Sequence, residues 1–146
     1  LSDIQKASGE LNLLDGAEDF LNSIRSNFQV VILSDTFHEI AKPLMEKMGH
    51  PLLLCHNLEV KNDQVISYKL RHKKAKKQAI MAFQSIGYRC IAAGDSYNDI
   101  QMFEVAEKGF FINAPEKIAA SHPEIPSFHN YDDLENAILK SSVFIK

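Results

Sequence analysis

Two carboxylates four residues apart, Asp95 and Asp99, are the side chains of this sequence best suited to hold a cation. They follow the apolar run Cys90–Ala93 and Gly94, a pattern typical of a buried parallel strand that turns into a loop. Open α/β sheets bind ligands at the carboxyl ends of their strands, and Mg²⁺ accepts carboxylates beside a phosphate. The alternative is local, with Asp95 or Ser96 capping the next helix and Asp99 as a favourable first-turn charge. The motif alone leaves both interpretations open.

A second group of small polar residues follows another apolar run, Val30–Leu33. Ser34, Asp35 and Thr36 come directly after it, so a hydroxyl and backbone amides at a helix N-terminus could seat a phosphate. Helix capping explains the same residues. Taken alone, this motif favours the cap.

A basic run, Arg71–Lys77, holds five cations and one histidine in seven residues. Lys76 lies seven residues before Phe83 on the apolar face of the predicted helix, so we expect it to point inward and to need an anionic partner, such as a phosphate flanked by carboxylates. The other lysines of the run can stay in water: Lys73, Lys74 and Lys77. The run is short and lacks interleaved aromatic residues, which argues against nucleic-acid binding.

Composition bounds the protein class. The chain has 146 residues, 45% hydrophobic and 24% charged, with a formal charge of −3, as in an ordinary soluble domain. No apolar run approaches the roughly 20 residues that span a bilayer, and the start does not resemble a signal peptide. Cys55 and Cys90 lie in apolar runs and are predicted to be buried thiols in a reducing cytoplasm. The histidines lack the spacing of a zinc site.

The elements that must position these side chains alternate between strand and helix. This order predicts an α/β fold, a doubly wound parallel sheet with one protruding β-hairpin. Pro43 should kink or delay its helix. Strands are predicted at 29–33, 52–55, 89–93 and 110–112, a hairpin at 58–60 and 65–70 around Asn62-Asp63, and helices at 17–26, 38–48, 74–86, 97–107 and 131–139, with one more opened by Ala114-Pro115 and a loop around Pro123 and Pro126.

Three motifs in this order resemble those of haloacid dehalogenase-type phosphatases: VILSDTF ending at Phe37, a lysine that opens a later helix, and IAAGDSYND ending at Asp99. Within that superfamily the chain resembles the phosphoserine phosphatases, and most the branch described as bifunctional phosphoserine phosphatase and phosphoserine:homoserine phosphotransferase. Ser-Asp-Thr, in place of the more usual Ser-Gly-Gly, favours that branch. The resemblance implies a Rossmann-like core and Mg²⁺ as cofactor. It also implies phosphoserine as the small-molecule partner, with water or homoserine as acceptor and a possible homodimer.

The resemblance also implies roles for individual residues. Ser34 binds the transferring phosphate, with Asp35 and Thr36 beside it, and Lys76 neutralises the phosphate and the nucleophile. Asp95, Asn98 and Asp99 form the third motif. Asp95 ligates Mg²⁺, Asp99 orients the metal site from behind, and Asn98 contacts phosphate or substrate. Such enzymes pass through an aspartyl-phosphate.

The family's first motif, an apolar strand followed by Asp-x-Asp/Glu-Gly, is absent from this sequence. Asp15-Gly16 is the only local mimic and lacks the second acid. We therefore expect residues 1–13 to be the remnant of a helical cap and residues 14–146 to be a core that lacks its first strand. On this interpretation the chain alone is inactive because the nucleophile lies elsewhere. The alternative is a noncatalytic module that binds phosphate or Mg²⁺ and acts through partner contacts.

Overall fold

The computed structural model describes residues 1–141, which form two compact units, Leu1–Ala75 and the chain from Lys76 onward. Strands alternate with helices in both units, and parallel pairing occurs in both, so the predicted α/β class is confirmed. The last five residues of the predicted core, 142–146, lie outside the described residues. None of the helices described is long and apolar enough to cross a membrane.

The first unit is a three-stranded sheet in the order β1-β2-β3 with three helices. β1 and β2 are parallel, and β2 and β3 form an antiparallel hairpin. Its small core contains Ala41, Leu53 and Cys55. In chain order its elements are α1 (Ser2–Glu10), α2 (Ala17–Arg25), β1 (Val31–Phe37), α3 (His38–Lys47), β2 (Leu52–Lys61) and β3 (Gln64–Lys69).

The hairpin turn is the one the sequence predicts. Asn62 and Asp63 have φ values of 49° and 63°, the left-handed backbone that a two-residue turn of type I′ requires at both positions. The predicted strand at 52–55 and the first hairpin strand are one continuous strand, β2. A single strand therefore serves a parallel neighbour with its first half and an antiparallel neighbour with its second.

The second unit is a parallel sheet in the order β4-β5-β6. Phe111 and Leu134 are almost fully buried in its core, and the Phe103 ring packs edge-on against Phe111 at a centroid distance of 5.3 Å. In chain order its elements are α4 (Ala75–Ser85), β4 (Ile91–Gly94), α5 (Tyr97–Phe103), β5 (Lys108–Ile112), α6 (Glu116–Ser121), β6 (Ser127–Phe128) and α7 (Tyr131–Lys140).

Several boundaries differ from the predicted ones. β1 continues through Phe37 instead of ending at Leu33. α5 ends at Phe103 instead of residue 107, because the Glu107 N–H donates to the Cys90 carbonyl at 2.9 Å, next to the first β4–β5 pair. β6 lies where the sequence predicts a loop, because its two residues carry no periodic signal. Both thiols are free. Cys55 is buried, as predicted, whereas Cys90, which precedes β4, is only half-buried.

Pro43 lies inside α3, and the helix starts at His38, so a late start was wrong. Proline has no N–H and cannot bond the carbonyl four residues earlier, that of Glu39. The Gln5 side-chain amide of α1 donates to this carbonyl at 2.8 Å instead. Helix α1, from the predicted cap remnant, thus packs on α3 within the first unit and satisfies a group that Pro43 leaves open.

This contact predicts the effect of Gln5→Leu. Removing the amide leaves the half-buried Glu39 carbonyl without that donor, so the free energy of unfolding should fall by about 1–3 kcal/mol, measured by urea denaturation at equilibrium. Pro43→Ala provides the matched background, because it restores a backbone N–H at position 43. Gln5→Leu should cost clearly less there, and equal costs in the two backgrounds would contradict the assignment.

Candidate active site

The carboxyl end of β4 presents the predicted acidic motif. The strand ends at Gly94, Asp95 and Ser96 form the turn, and α5 begins at Tyr97 with Ser96 as its N-cap in extended conformation. The carboxylate of Asp95 is exposed and that of Asp99 is buried. The two acids are therefore close in sequence but differ in environment.

Asp99 is the hub of this turn, and only 3% of its surface is exposed. Its Oδ2 accepts hydrogen bonds from the Asp95 N–H at 2.9 Å, the Ser96 N–H at 2.9 Å and the Ser96 hydroxyl at 2.8 Å. Its Oδ1 accepts from Lys76 Nζ at 2.8 Å. The carboxylate thus closes the β4–α5 turn from inside, which combines the capping interpretation of the motif with an ion pair.

Gly94 is required by close approach. A Cβ at this position would lie 2.4 Å from both Cγ and Oδ2 of Asp99, a separation that side chains do not reach. The sequence suggested that Gly94 permits a sharp turn, but it is not among the residues with positive φ. Only a residue without a side chain lets the Asp99 carboxylate lie against the strand end.

Lys76 points inward, as its position on the helix face predicts. Its side chain is 15% exposed and pairs with Asp99, whose side chain is 5% exposed. The neighbouring Lys77, expected to remain in water, is also partly covered and pairs with the exposed Glu104 at 3.1 Å. A buried lysine needs an anionic partner. Within the second unit, Lys76 finds it in the Asp99 carboxylate of the acidic motif.

The charge state of Asp99 follows from this environment. Burial raises the pKa of the carboxyl group, but the hydrogen bonds from Lys76 and Ser96 and the lysine charge outweigh it, so the net pKa lies below its usual value. Asp99 is therefore ionised at neutral pH, and the buried pair is a true ion pair.

A phenol that sequence reasoning missed lies near Asp95. Burial and the negative charge of Asp95 raise the pKa of Tyr131, the first residue of α7. α7 follows β6, whose carboxyl end lies at the same edge of the parallel sheet as that of β4. Had β6 been predicted as a strand, Tyr131 would have been expected at this edge of the sheet.

The second predicted motif lies in the first unit, inside an irregular part of β1. Leu33 pairs with Leu54 and Phe37 with His56, so β1 has four steps where β2 has two. The three residues between Leu33 and Phe37 form this bulge: Ser34, Asp35 and Thr36. The Thr36 N–H donates to the Ser34 hydroxyl at 3.2 Å.

Ser34 therefore does not sit at a helix N-terminus. The N-cap of α3 is Phe37, which makes no side-chain cap hydrogen bond, so neither the predicted helix cap nor the predicted helix-end phosphate seat is formed by this motif. Asp35 is exposed, and one of its oxygens faces the buried His56 imidazole, a residue that the sequence did not single out. Bulges commonly re-aim side chains next to active sites.

The residues described hold no cluster of three or more histidine, cysteine or acidic side chains placed to bind a metal. Asp95 offers an exposed carboxylate, whereas both oxygens of Asp99 already accept protein hydrogen bonds. Mg²⁺ commonly uses one or two carboxylates together with substrate phosphate and water. A single carboxylate at the strand end fits that donor set as a partial site, with Asp99 holding the backbone of Asp95 from behind.

The Lys76–Asp99 pair predicts a strong contrast between two adjacent lysines. Lys76→Met leaves a buried carboxylate without its cation and should lower the free energy of unfolding by about 3–5 kcal/mol. Lys77→Met, the matched control, breaks a pair with an exposed partner and should change it by no more than about 0.5 kcal/mol. Equal effects in urea denaturation would show that Asp99 does not depend on Lys76.

The lowered pKa of Asp99 predicts a loss of stability in acid. Its contribution is complete above the unfolded-state pKa of about 3.9 and is lost as pH falls through the lower folded-state pKa. The free energy of unfolding of the native chain should fall as the pH is lowered from 6 to 2.5. In Asp99→Asn this fall should be smaller, because the contribution of the Asp99 charge is absent. A variant whose acid slope matches that of the native chain would contradict the assignment.

Residues 2–107 match the family model of haloacid dehalogenase-like hydrolases. Phosphoserine phosphatase ThrH of Pseudomonas aeruginosa is 48% identical over 143 residues, which cover 97% of this chain and 70% of that protein. A phosphoserine phosphatase of Pseudomonas syringae pv. tomato is 46% identical over 143 residues, 97% of this chain and 60% of that protein. The chain thus spans about 60–70% of the length of these two relatives.

Solved structures agree in fold. A phospho-aspartyl intermediate analogue of phosphoserine phosphatase matches with a TM-score of 0.78 at 20% identity, over 93% of this chain and 69% of that one. A phosphoserine phosphatase in apo form matches with a TM-score of 0.77 at 24% identity, over 96% and 72%. The family model, which covers most of the length, and the relative that is 48% identical establish that the chain belongs to the haloacid dehalogenase-like hydrolases.

Proposed function

We propose that this chain carries most of the core of a Mg²⁺-dependent enzyme that transfers the phosphoryl group of phosphoserine. The observation that carries the proposal is the buried Lys76–Asp99 ion pair behind the exposed carboxylate of Asp95 at the end of a parallel strand. Two relatives at 46% and 48% identity are named phosphoserine phosphatases, which supports this substrate. The acceptor is water or the hydroxyl of homoserine.

Each motif has a role in this proposal. The Ser34 hydroxyl, which accepts the Thr36 N–H, donates its proton to a phosphate oxygen, and Asp35 and Thr36 shape that segment. Lys76 supplies positive charge for the transition state, in which preorganised charges are the main source of stabilisation. Asn98, exposed on the first turn of α5, donates to the phosphate or substrate.

The metal would be held by Asp95, with Asp99 fixing the position of the Asp95 backbone. When bound, Mg²⁺ supplies Lewis-acid stabilisation of charge on the phosphoryl oxygens. The chain's own contribution is to keep Asp95 directed outward while Asp99 remains ionised and engaged beneath it. Lys76 performs two functions, because its hydrogen bond to Asp99 also fixes its own amine.

The nucleophile is the remaining requirement. An aspartyl-phosphate needs an aspartate nucleophile. The phosphatases that this chain resembles carry it in an Asp-x-Asp/Glu-Gly motif after a strand, and no such motif occurs in these 146 residues. We propose that a strand bearing Asp-x-Asp/Glu-Gly completes the site from outside this sequence. The 146-residue chain alone should then bind phosphate weakly and turn over no phosphoserine.

Asp95→Asn tests the proposal in the complete enzyme, in which the Asp-x-Asp/Glu-Gly strand is also present. The variant should lose about 100-fold or more in kcat for phosphoserine, since a neutral amide replaces the metal-binding charge. Asp19→Asn, an exposed acid in the first turn of α2, is the matched control and should retain full activity. Full activity of Asp95→Asn would overturn the proposal.

The isolated chain separates this function from the noncatalytic alternative. Calorimetry with inorganic phosphate and Mg²⁺, together with a phosphoserine hydrolysis assay, gives distinct results. Turnover at an enzymatic rate would show that the nucleophile lies within residues 1–146. Tight Mg²⁺-dependent phosphate binding without turnover, unchanged when the Asp-x-Asp/Glu-Gly strand is present, would favour a binding module.

A further inference from the structure

The bulge of β1 brings an acidic residue to the segment proposed to bind phosphate. Asp35 lies between Ser34 and Thr36, and its side chain is 49% exposed. A carboxylate beside a phosphate dianion raises the energy of the bound state, because like charges repel at short distance. Some feature of the first unit must therefore direct this carboxylate away from the bound anion.

His56 lies opposite the end of the bulge, where Phe37 is its partner in the parallel register. It is one of the few buried polar residues described, with 6% of its surface exposed. The Phe37 ring packs beside the imidazole at a centroid distance of 6.0 Å. The orientation of the imidazole is therefore set by packing and by its hydrogen bonds.

The protonation state of the imidazole follows from one of these bonds. The Arg71 backbone N–H donates to His56 Nδ1 at 3.1 Å. A backbone N–H can only donate, so Nδ1 carries a lone pair and the proton of the neutral imidazole is on Nε2. His56 therefore presents an N–H donor from the opposite side of the ring.

That donor faces Asp35. His56 Nε2 lies 3.8 Å from Asp35 Oδ1, a distance about 1 Å longer than a hydrogen bond. Hydrogen bonds in a site that holds no ligand are often long and shorten when the ligand binds. The nearby Glu39 carboxylate accepts the Leu58 N–H at 2.8 Å. Of these two carboxylates, Asp35 is the one that lies near Nε2 of the imidazole.

We propose that His56 is a positioning residue that holds the Asp35 carboxylate away from the phosphate bound at the bulge. The proposal rests on the proposed function, since it requires phosphate at Ser34. When phosphate binds, Asp35 moves onto the Nε2–H of His56, and the Ser34 hydroxyl, which accepts the Thr36 N–H, donates its own proton to a phosphate oxygen. His56 itself does not touch the substrate.

Two substitutions separate the two sides of the imidazole. In His56→Asn, the side-chain oxygen can replace Nδ1 as acceptor for Arg71, but the donor toward Asp35 is lost. In His56→Gln, the amide can reach the Nε2 position and donate to Asp35, but the acceptor for Arg71 is lost. A structural role through Arg71 predicts that Gln is the damaging change, whereas positioning of Asp35 predicts that Asn is.

The experiment measures inorganic phosphate affinity by calorimetry, and kcat and KM for phosphoserine, in the complete enzyme. His56→Asn should weaken phosphate binding and raise KM by about tenfold, the size expected for a hydrogen bond to a charged group, with kcat changed much less. His56→Gln should stay within about threefold of the native values. Adding Asp35→Asn to His56→Asn should restore phosphate affinity, because the repelling charge is then gone.

Native affinity in His56→Asn, or no restoration by Asp35→Asn, would overturn the inference. So would a His56→Gln variant that is equally weak while its urea denaturation matches that of His56→Asn. Imidazole ¹⁵N chemical shifts give a readout independent of phosphate: they should report the Nε2–H tautomer, and the Nε2 shift should change in Asp35→Asn. If the shifts behave so but the native enzyme binds no phosphate, the proposed function fails while the His56–Asp35 interaction stands.

Discussion

The buried carboxylate of Asp99 is the constraint on which the candidate site of the second unit depends. A charge with 3% exposure is tolerated because four donors reach it. These hydrogen bonds fix the turn after β4, the start of α5 and the inward direction of Lys76. The absence of a side chain at Gly94 follows from the same carboxylate. Asp95 is held through its backbone N–H and stays exposed.

In the first unit the corresponding constraint is the dual role of β2. It pairs with β1 up to His56 and with β3 from Asn57 onward. At this change of partner the Glu39 carboxylate accepts the Leu58 N–H, while the Glu39 carbonyl accepts from Gln5 in place of the missing N–H of Pro43. The bulge of β1 occurs where β2 leaves it, which is why a polar motif and a buried histidine meet there.

Much of the fold was predictable from local pattern. Apolar runs located β1, β2, β4 and β5, the Asn-Asp pair located the hairpin turn, and the spacing to Phe83 predicted the inward lysine. The failures share a cause: β6 pairs only through Phe111 and Ile112, and the end of α5 depends on a hydrogen bond between Glu107 and Cys90. Such features are set by neighbours distant in sequence, which periodicity does not contain.

By itself the sequence determined the motifs, their order along alternating strands and helices, and the resemblance that the family match confirms, because these depend on residue type and spacing. Only the tertiary structure decided that Lys76 binds Asp99, that Gly94 is needed for close approach, and that Ser34 lies in a strand bulge instead of at a helix end. It also placed the His56 imidazole 3.8 Å from the Asp35 carboxylate. Those facts are distances between atoms on different elements, and they arise only when the elements pack.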